Sequence, residues 1–256
     1  MRFTGERLPE GDPHFQADMA RHLAAYLVAR PYCAGRSVLD AGCGEGYGSA
    51  LVAETAASVL GVDRSHAALV RAHANHAGPR VRFACVDLER LDAVRGRFDV
   101  VLNFQVLEHL HDPRPLLAQF AAHLEPGGTL VLTTPNRPMS VSENPYHVHE
   151  YTADELGPVL APYFSRVDVR GVAGNAKVTA YEDARRRQVA RILRLDPLGL
   201  RNRLPEPVVK FAFAQLAKLV RRLVAKDGRP AAIGPEDFSE QASAEGAVDL
   251  LAICRK

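Results

Sequence analysis

The 256-residue sequence has no tryptophan, only four cysteines and no long hydrophobic run. Cys33, Cys43, Cys85 and Cys254 are widely spaced and form no C-x-x-C pair, which argues against a disulfide scaffold and against a zinc ribbon. No apolar segment approaches the roughly 20 residues needed to span a bilayer, and the first residues lack the apolar core of a signal peptide. The sequence therefore predicts a reduced, cytoplasmic protein.

The sequence also lacks a clear excess of either charge. Its 32 lysine and arginine residues face 30 aspartate and glutamate residues, which leaves a formal net charge of +2, and 47% of the chain is hydrophobic. This balance is typical of a globular protein and argues against disorder, a coiled coil or a strongly basic nucleic-acid binder. We therefore expect a single domain over residues 1–256 and no nucleic-acid partner.

Strand-like and helix-like segments alternate along the chain. Apolar residues at helical spacing run from about residue 14 to 30 and stop at Pro31, which predicts a helical cap over residues 1–35. Short β-rich runs follow at 37–40, 59–63, 81–86, 98–104, 129–133, 167–172 and 248–254. Consecutive βαβ units of this kind predict an α/β fold, a Rossmann-like doubly wound sheet with helices on both faces.

A glycine cluster lies where the first strand gives way to a helix. The letters DAGCGEG occupy residues 40–46, and Gly42 and Gly44 would let a ligand approach the backbone near the amides of a helix N-terminus. Nineteen residues after Gly44, Asp63 ends the second strand and could accept hydrogen bonds from ribose hydroxyls. A dinucleotide fingerprint needs a third glycine where this chain has Tyr47. The pattern favours an S-adenosylmethionine loop over a dinucleotide loop or a plain tight turn.

The sequence resembles the class I S-adenosylmethionine-dependent methyltransferases from Val38 to about Leu160. Besides the glycine loop, the motifs that carry the resemblance are GVD at 61–63, FDVV at 98–101 and LEPGG at 124–128. A bacterial branch associated with polysaccharide and glycolipid sugar O-methylation is similar at FTGER (3–7), NFQVLEHL (103–110), TPN (134–136) and NPYH (144–147). The resemblance implies a seven-stranded sheet whose last strand runs antiparallel, with S-adenosylmethionine (SAM) as cofactor.

The resemblance also implies a set of cofactor-binding residues. Asp87, after the third strand, is expected to meet the adenine amino group, and the end of the fourth strand from Asn103 to Gln105 is expected to line the pocket. Arg7 and Arg21 are candidates for the methionine carboxylate, with an ordinary surface position as the alternative for each. The other members of the expected set are Asp40, Gly42, Cys43, Gly44, Gly46, Asp63, Arg64 and Leu88.

Histidines follow the fourth and fifth strands, at the edge where open α/β sheets bind their ligands. Methyl transfer to a hydroxyl is an in-line displacement in which the attacking oxygen loses its proton, so alignment and a base are needed. His147, in a loop with Tyr146, is the favoured base, and the pair Glu108 and His109 is the other catalytic candidate. The alternatives are structural: His147 could bind within its own loop, and His109 could support the strand end.

The same region could hold a metal ion. The H-x-H pairs at 109–111 and 147–149 could act as ligands together with Glu108, since some quinone O-methyltransferases place a metal on a Glu-x-x-Glu-His motif. Gln105 stands where that motif has its first carboxylate. We therefore expect that the enzyme needs no metal.

Residues 173–246, between the sixth and last strands, are expected to form a mostly helical basic insertion. Within it, residues 181–230 hold 13 basic and 5 acidic side chains, a local excess of +8. Apolar residues recur at helical spacing from Val209 to Leu223, which indicates an amphipathic helix. The insertion could cover the acceptor as a lid or lie on an anionic membrane. It could also pack on the domain with a solvated basic face.

Three functions fit these patterns. The preferred one is an enzyme that methylates a hydroxyl of a sugar or glycolipid, with a small-molecule or lipid-linked saccharide as acceptor. The alternative is an O-methyltransferase acting on a quinone, a polyketide or another small hydroxylated or carboxylated molecule. The third is a non-catalytic cofactor-binding module, against which the histidine-bearing acceptor loop argues. A lipid-linked acceptor would add peripheral contact with the inner membrane surface to the expected cytoplasmic location.

Overall fold

The computed structural model describes residues 15–141, 144–194, 205–226 and 232–256. The strands are β1 (Ser37–Ala41), β2 (Ser58–Asp63), β3 (Val81–Cys85), β4 (Phe98–Phe104), β5 (Leu124–Pro135), β6 (Arg166–Gly174), β7 (Phe238–Gln241) and β8 (Asp249–Arg255). The helices are α1 (Gln16–Cys33), α2 (Tyr47–Ala53), α3 (His66–His76), α4 (Arg114–His123), α5 (Ala153–Leu160), α6 (Ala176–Leu193) and α7 (Glu206–Lys226).

The strands form a single sheet in the order β3-β2-β1-β4-β5-β8-β6-β7. The pairs from β3 to β5 are parallel, and β8 lies between β5 and β6, antiparallel to both. This confirms the Rossmann-like α/β fold and the antiparallel last strand. The expected number of seven strands is too low by one, because β7 adds an edge strand within the segment expected to be mostly helical. Its four residues are too short a run to give a strand signal.

Helices cover both faces of the sheet. In β4, Val100 and Leu102 pack into the layer that contains α1, α2, α3, α6 and α7, while Val101 packs into the opposite layer with α4 and α5. Because both faces are buried, β4 is apolar at successive positions rather than at every second one. The parallel strands therefore end together at one edge, between two covering layers.

Helix α1 is longer than the sequence predicted. It continues through Pro31 to Cys33 instead of stopping at the proline. Proline lacks an amide hydrogen, so the helix gives up one backbone hydrogen bond at position 31 before it ends two residues later. The buried face of α1 consists largely of alanines, which lets the helix pack close to the sheet.

The apolar face of α7 points inward, with Val220 and Val224 buried in the same layer as α1. Arg221 is buried beside them, and its Nε donates to Asp18 Oδ2 on α1 at 2.9 Å. Arg185 of α6 lies 3.6 Å from the other oxygen of the same carboxylate. Although burial alone raises the pKa of Asp18, the guanidinium groups of Arg221 and Arg185 lower it to about 2.

The insertion turns one of its basic residues inward. The sequence suggested basic side chains on a solvated or membrane-facing surface, and Arg221 instead pairs with Asp18 in the interior. None of the described helices combines the length and apolar character that a bilayer crossing requires.

Replacing Asp18 with Ala should lower the free energy of unfolding by about 3 kcal/mol at pH 7, because two guanidinium groups lose their shared buried partner. The pKa of this aspartate is lower in the folded state, so its stabilisation is present above about pH 4 and is lost as the pH falls towards 2. Urea unfolding measures the change.

The matched control is Arg36→Ala. Arg36 lies 3.6 Å from Asp99 and its side chain is 61% exposed, so its removal should cost no more than about 0.5 kcal/mol. Equal effects of the two substitutions would show that the Asp18 contacts do not attach the insertion to α1.

Candidate functional site

The glycine loop follows β1 at the carboxyl edge of the sheet. Gly42, Gly44 and Gly46 have φ values of 97°, 55° and 83°, a region that side chains rarely adopt. A Cβ on Gly42 would lie 2.7 Å from Val106 Cγ2, whereas a Cβ on Gly44 would meet nothing within 4 Å among the described residues. Gly42 therefore serves close packing within the protein, and Gly44 lies beside open space that a ligand can occupy.

Asp63 lies beside this loop at the end of β2. Its Oδ2 accepts the Gly44 N–H at 3.0 Å, and its Oδ1 accepts the Ser65 N–H at 2.7 Å, just before α3 begins. These two backbone bonds orient the carboxylate, whose oxygens can each accept more than one hydrogen bond. The structure thus places Asp63 where the sequence predicted a ribose-binding carboxylate.

Asp40 and Cys43, both expected to bind the cofactor, are turned into the protein. Asp40 is 1% exposed and accepts hydrogen bonds from Ser49 Oγ at 2.6 Å and from Tyr26 OH at 3.1 Å. Burial raises the pKa of Asp40 to about 6, and the two hydroxyl donors partly oppose that rise. The Cys43 side chain is buried in the core, where burial raises the pKa of its thiol. Both side chains support the loop from the protein interior, which corrects the expectation that they contact the cofactor.

Asn103, the last but one residue of β4, reaches the start of the glycine loop. Its Nδ2 donates to the Ala41 carbonyl oxygen at 2.7 Å. Its Oδ1 is buried, and no described residue donates to it. A buried amide oxygen without a donor carries a desolvation cost that a ligand N–H or O–H would remove. Together with the open space at Gly44, this fits an adenosine-type cofactor.

Three further expected positions follow β2 and β3, the two strands on one side of β1 in the sheet. Asp87 is exposed and its Oδ1 accepts the Glu89 N–H at 3.1 Å at the start of a short 3₁₀ helix. Leu88 packs near Gly42, and its Cδ1 would lie 3.9 Å from a Cβ built on that glycine. Arg64 is exposed between β2 and α3.

The two arginine candidates for the methionine carboxylate have different outcomes. Arg7 lies outside the described residues. Arg21 has two of its guanidinium nitrogens committed to the Asp249 carboxylate, and Nη2 also donates to the Val248 carbonyl oxygen at 3.0 Å. Its guanidinium group is already bound to a carboxylate of the protein, which corrects the expectation that it would bind the carboxylate of the cofactor.

Glu108, His109 and His147 come together beyond β4 and β5. Glu108 is 1% exposed and accepts a hydrogen bond from Thr134 Oγ1 at 2.9 Å, and burial raises the pKa of its carboxyl. The ring centroids of His109 and His147 are 5.0 Å apart. His109 Nδ1 lies 3.0 Å from the Tyr146 carbonyl oxygen. This oxygen can only accept a hydrogen bond, so Nδ1 is the donor.

The ring of His147 has a partner on each nitrogen. Nδ1 lies 2.5 Å from Glu150 Oε1, and Nε2 lies 2.8 Å from the Asn144 side-chain amide. A carboxylate at Nδ1 holds the proton on that nitrogen, which leaves Nε2 as an acceptor. His147 is therefore in the tautomer that a base acting through Nε2 requires.

The cluster could also hold a metal ion. One donor atom from each of Glu108, His109 and His147 lies within 4.8 Å of the others. All three residues are among the candidate ligands that the sequence offered, and His147 comes from the loop after β5. The outer histidines do not join the cluster: His111 is exposed, and His149 lies against Tyr151, with Nε2 3.6 Å from Glu155.

Sequence reasoning missed three residues: Asn144 and Glu150, which are the partners of the His147 ring, and Asp249. The first two could have been found from the sequence, because each lies three residues from His147. Asp249 gave no signal, since its contacts on α1 and β4 are brought together only by the fold.

The match to known proteins agrees with this geometry. Residues 14–172 match the family model described as a methyltransferase domain. A probable S-adenosylmethionine-dependent methyltransferase of Mycolicibacterium smegmatis is 38% identical over 186 residues, 69% of this chain and 72% of the relative.

Two further matches are more partial or more distant. A ubiquinone biosynthesis O-methyltransferase of Idiomarina loihiensis is 40% identical over 106 residues, 40% of this chain and 44% of that protein. The crystal structure of a SAM-dependent methyltransferase from Archaeoglobus fulgidus superposes with a TM-score of 0.57 over 94% of both chains, at 18% identity, and so shows the fold alone. The chain belongs to the methyltransferase domain family and is a methyltransferase that uses SAM as its cofactor.

Proposed function

We propose that the cofactor lies along the carboxyl edge of the sheet in the order of the strands. The order β3-β2-β1-β4-β5 places Asp87, Asp63, the glycine loop and the end of β4 in sequence along that edge. Adenine would then lie beside Asp87 and Leu88, ribose at Asp63, and the amino-acid end at β4. The acceptor would occupy the next position, at β4 and β5, beside Glu108 and His147.

We further propose that the enzyme O-methylates a hydroxyl group, with His147 as general base. The observation that carries this proposal is the Glu150 carboxylate on His147 Nδ1, which leaves Nε2 as the acceptor at the predicted acceptor edge. A substrate hydroxyl would take the place of the Asn144 amide at Nε2.

The bound cofactor would supply a methyl group on a positively charged sulfur. As the acceptor oxygen bonded to the methyl carbon, the carbon–sulfur bond would break and its electron pair would stay on sulfur, which becomes a neutral thioether. His147 Nε2 takes the hydroxyl proton, and Glu150 stabilises the resulting imidazolium. The Glu108 carboxyl is buried beside both histidines and accepts a hydrogen bond from Thr134 Oγ1. His109 is the alternative base.

The polar surroundings support a saccharide as acceptor. His109, Asn144 and His147 are partly exposed and carry hydrogen-bonding groups of both kinds, as a polyhydroxylated ligand requires. The alternative acceptor is a quinone, polyketide or other small molecule, which is supported by the partial similarity to the ubiquinone biosynthesis enzyme.

For the insertion, a lid is the better supported proposal. Arg186 of α6 donates through Nη2 to the Met139 carbonyl oxygen at 2.8 Å, which connects the insertion to the segment between β5 and the His147 loop. Contact with an anionic membrane, presenting a lipid-linked saccharide, is the other proposal. It must rest on residues other than Arg221, which pairs with Asp18.

The acceptor class is tested by incubating the enzyme with SAM labelled in its methyl group and with polysaccharide, glycolipid and quinone extracts of cells that lack the gene. We expect alkali-stable label in a saccharide fraction, because methyl ethers resist alkali and methyl esters do not. Label in the quinone fraction alone would establish the alternative acceptor. Binding of SAM without label transfer to any fraction would favour the non-catalytic module.

Replacing Asp63 with Ala should weaken binding of S-adenosylhomocysteine by about 1–3 kcal/mol, because charge-assisted hydrogen bonds to the ribose are lost. Calorimetry measures the change, and NADH should not bind to either protein. Asp92→Ala is the control, since that side chain is 74% exposed. Unchanged affinity in the Asp63 variant would place the ribose elsewhere.

Replacing His147 with Ala should lower the methylation rate constant on the order of 10²–10⁴-fold while leaving the affinity for S-adenosylhomocysteine nearly unchanged, because a base acts on the acceptor side. His149→Ala, two residues along the loop with a 46% exposed side chain, should behave like the wild type. A normal rate in the His147 variant would assign the base to His109 or leave catalysis to alignment alone.

Treatment with EDTA should leave the methylation rate unchanged, because a neutral imidazole at the acceptor edge can take the proton without a metal. Activity measured before and after dialysis against EDTA decides this. Loss of activity that magnesium or zinc restores would instead show that Glu108, His109 and His147 act as metal ligands.

A further inference from the structure

Asp249 is a buried carboxylate at the edge of the sheet where the cofactor is proposed to lie. It is the first residue of β8 and is 1% exposed, opposite Pro135 at the end of β5. Its Oδ2 accepts the Arg21 Nε–H at 2.6 Å, and its Oδ1 accepts hydrogen bonds from Arg21 Nη2 and from Gln105 Nε2, the latter at 3.0 Å. Asp249 thus connects α1 and the end of β4.

The contact with Asp249 decides which way the Gln105 amide faces. An ionised carboxylate only accepts hydrogen bonds, so the NH₂ group of Gln105 must point towards Asp249. The carbonyl oxygen Oε1 must then point away from Asp249, and no described residue donates to it. The half-buried Gln105 therefore presents a hydrogen-bond acceptor rather than a donor.

The backbone of Gln105 shows that this position is constrained. Its φ of 55° makes it the one non-glycine residue with positive φ among those described. Strained conformations of this kind persist where surrounding contacts hold them and concentrate at functional sites. Here the Gln105 N–H donates to the Thr133 carbonyl oxygen at 2.9 Å, and the side chain is held by Asp249.

We propose that Gln105 Oε1 accepts a hydrogen bond from the ammonium group at the amino-acid end of the cofactor. Asp249 is the positioning residue that fixes the amide for this task. The proposal rests on the cofactor order given above, in which the amino-acid end reaches β4 after the glycine loop. Arg21, neutralised by Asp249, adds no net positive charge that would repel an ammonium group.

The test compares two ligands that differ only in that group: S-adenosylhomocysteine and its deaminated analogue, which keeps the carboxylate. Calorimetry should show that the wild type prefers the amino compound by about tenfold or more, as expected for a hydrogen bond to a charged group. In Gln105→Asn, which tolerates the left-handed backbone but is one methylene shorter, this preference should fall to about twofold or less. Asp249→Asn should reduce it similarly, because an amide no longer dictates the orientation of Gln105.

The ratio of the two dissociation constants separates recognition from structural damage. A variant that only disturbs the pocket weakens both ligands equally, so an unchanged ratio in Gln105→Asn would overturn the proposal. Asp99→Asn is the matched carboxylate control, because Asp99 bonds Ser37 at the opposite edge of the sheet. Asp63→Ala should weaken both ligands and keep the ratio. If it weakens neither, the proposed cofactor order itself is wrong.

Discussion

Three polar contacts of α1 reach the insertion, the last strand and the start of the glycine loop. On successive turns, Asp18 binds Arg221 of the insertion, Arg21 binds Asp249 of β8, and Tyr26 donates to Asp40 behind the glycine loop. Each contact involves a carboxylate away from bulk solvent, where a lost partner costs more than at the surface. Helix α1 therefore fixes the insertion, the last strand and the glycine loop relative to one another near the carboxyl edge of the sheet.

Close packing reinforces these polar contacts at the glycine loop. The Tyr26 ring lies against Gly48 so closely that a Cβ there would be 2.1 Å from it, and it meets Phe104 edge to face at 4.7 Å between centroids. The same side chain thus sets the distance from α1 to α2 and to β4 while its hydroxyl holds Asp40. Small changes in α1 would reach the cofactor loop through this ring, because close-packed interiors transmit displacement.

Local features of the site could be predicted from the sequence, and distant ones could not. The glycine loop and Asp63 were predicted because strand ends and glycines are local signals whose geometry follows from the fold class. The contact between Gln105 and Asp249 joins residues 144 positions apart, so no spacing rule reveals it. No spacing rule reveals the partner of Arg21 either. Its position before the first strand suggested a ligand for the carboxylate of the cofactor, but its guanidinium group binds the Asp249 carboxylate of the protein.

The charge of the insertion shows a related limit of composition. Its excess of basic residues suggested a charged outer surface, but Arg221 and Arg185 share Asp18, and Lys177 lies 2.7 Å from Asp237. Counting charges cannot distinguish a solvated arginine from one that attaches a helix to its neighbour. Among residues whose side chains are described, only the exposed Arg187 and Arg191 of α6 and Arg194, directly after it, keep the character that the sequence suggested.

The cluster of Glu108, His109 and His147 has a geometry that fits two proposed uses. The Tyr146 carbonyl oxygen on His109 and the Glu150 carboxylate on His147 both bind Nδ1, so both Nε2 atoms remain as acceptors. Such outer contacts prepare a histidine equally well to take a proton or to ligate a metal. The difference lies in what replaces Asn144 at His147 Nε2. A substrate hydroxyl takes over the position of one hydrogen-bond donor, whereas a metal ion must also draw in His109 and the buried Glu108 carboxylate. Burial raises the pKa of that carboxyl and so disfavours the charged form that a metal requires, which supports the proposal of base catalysis over that of metal binding.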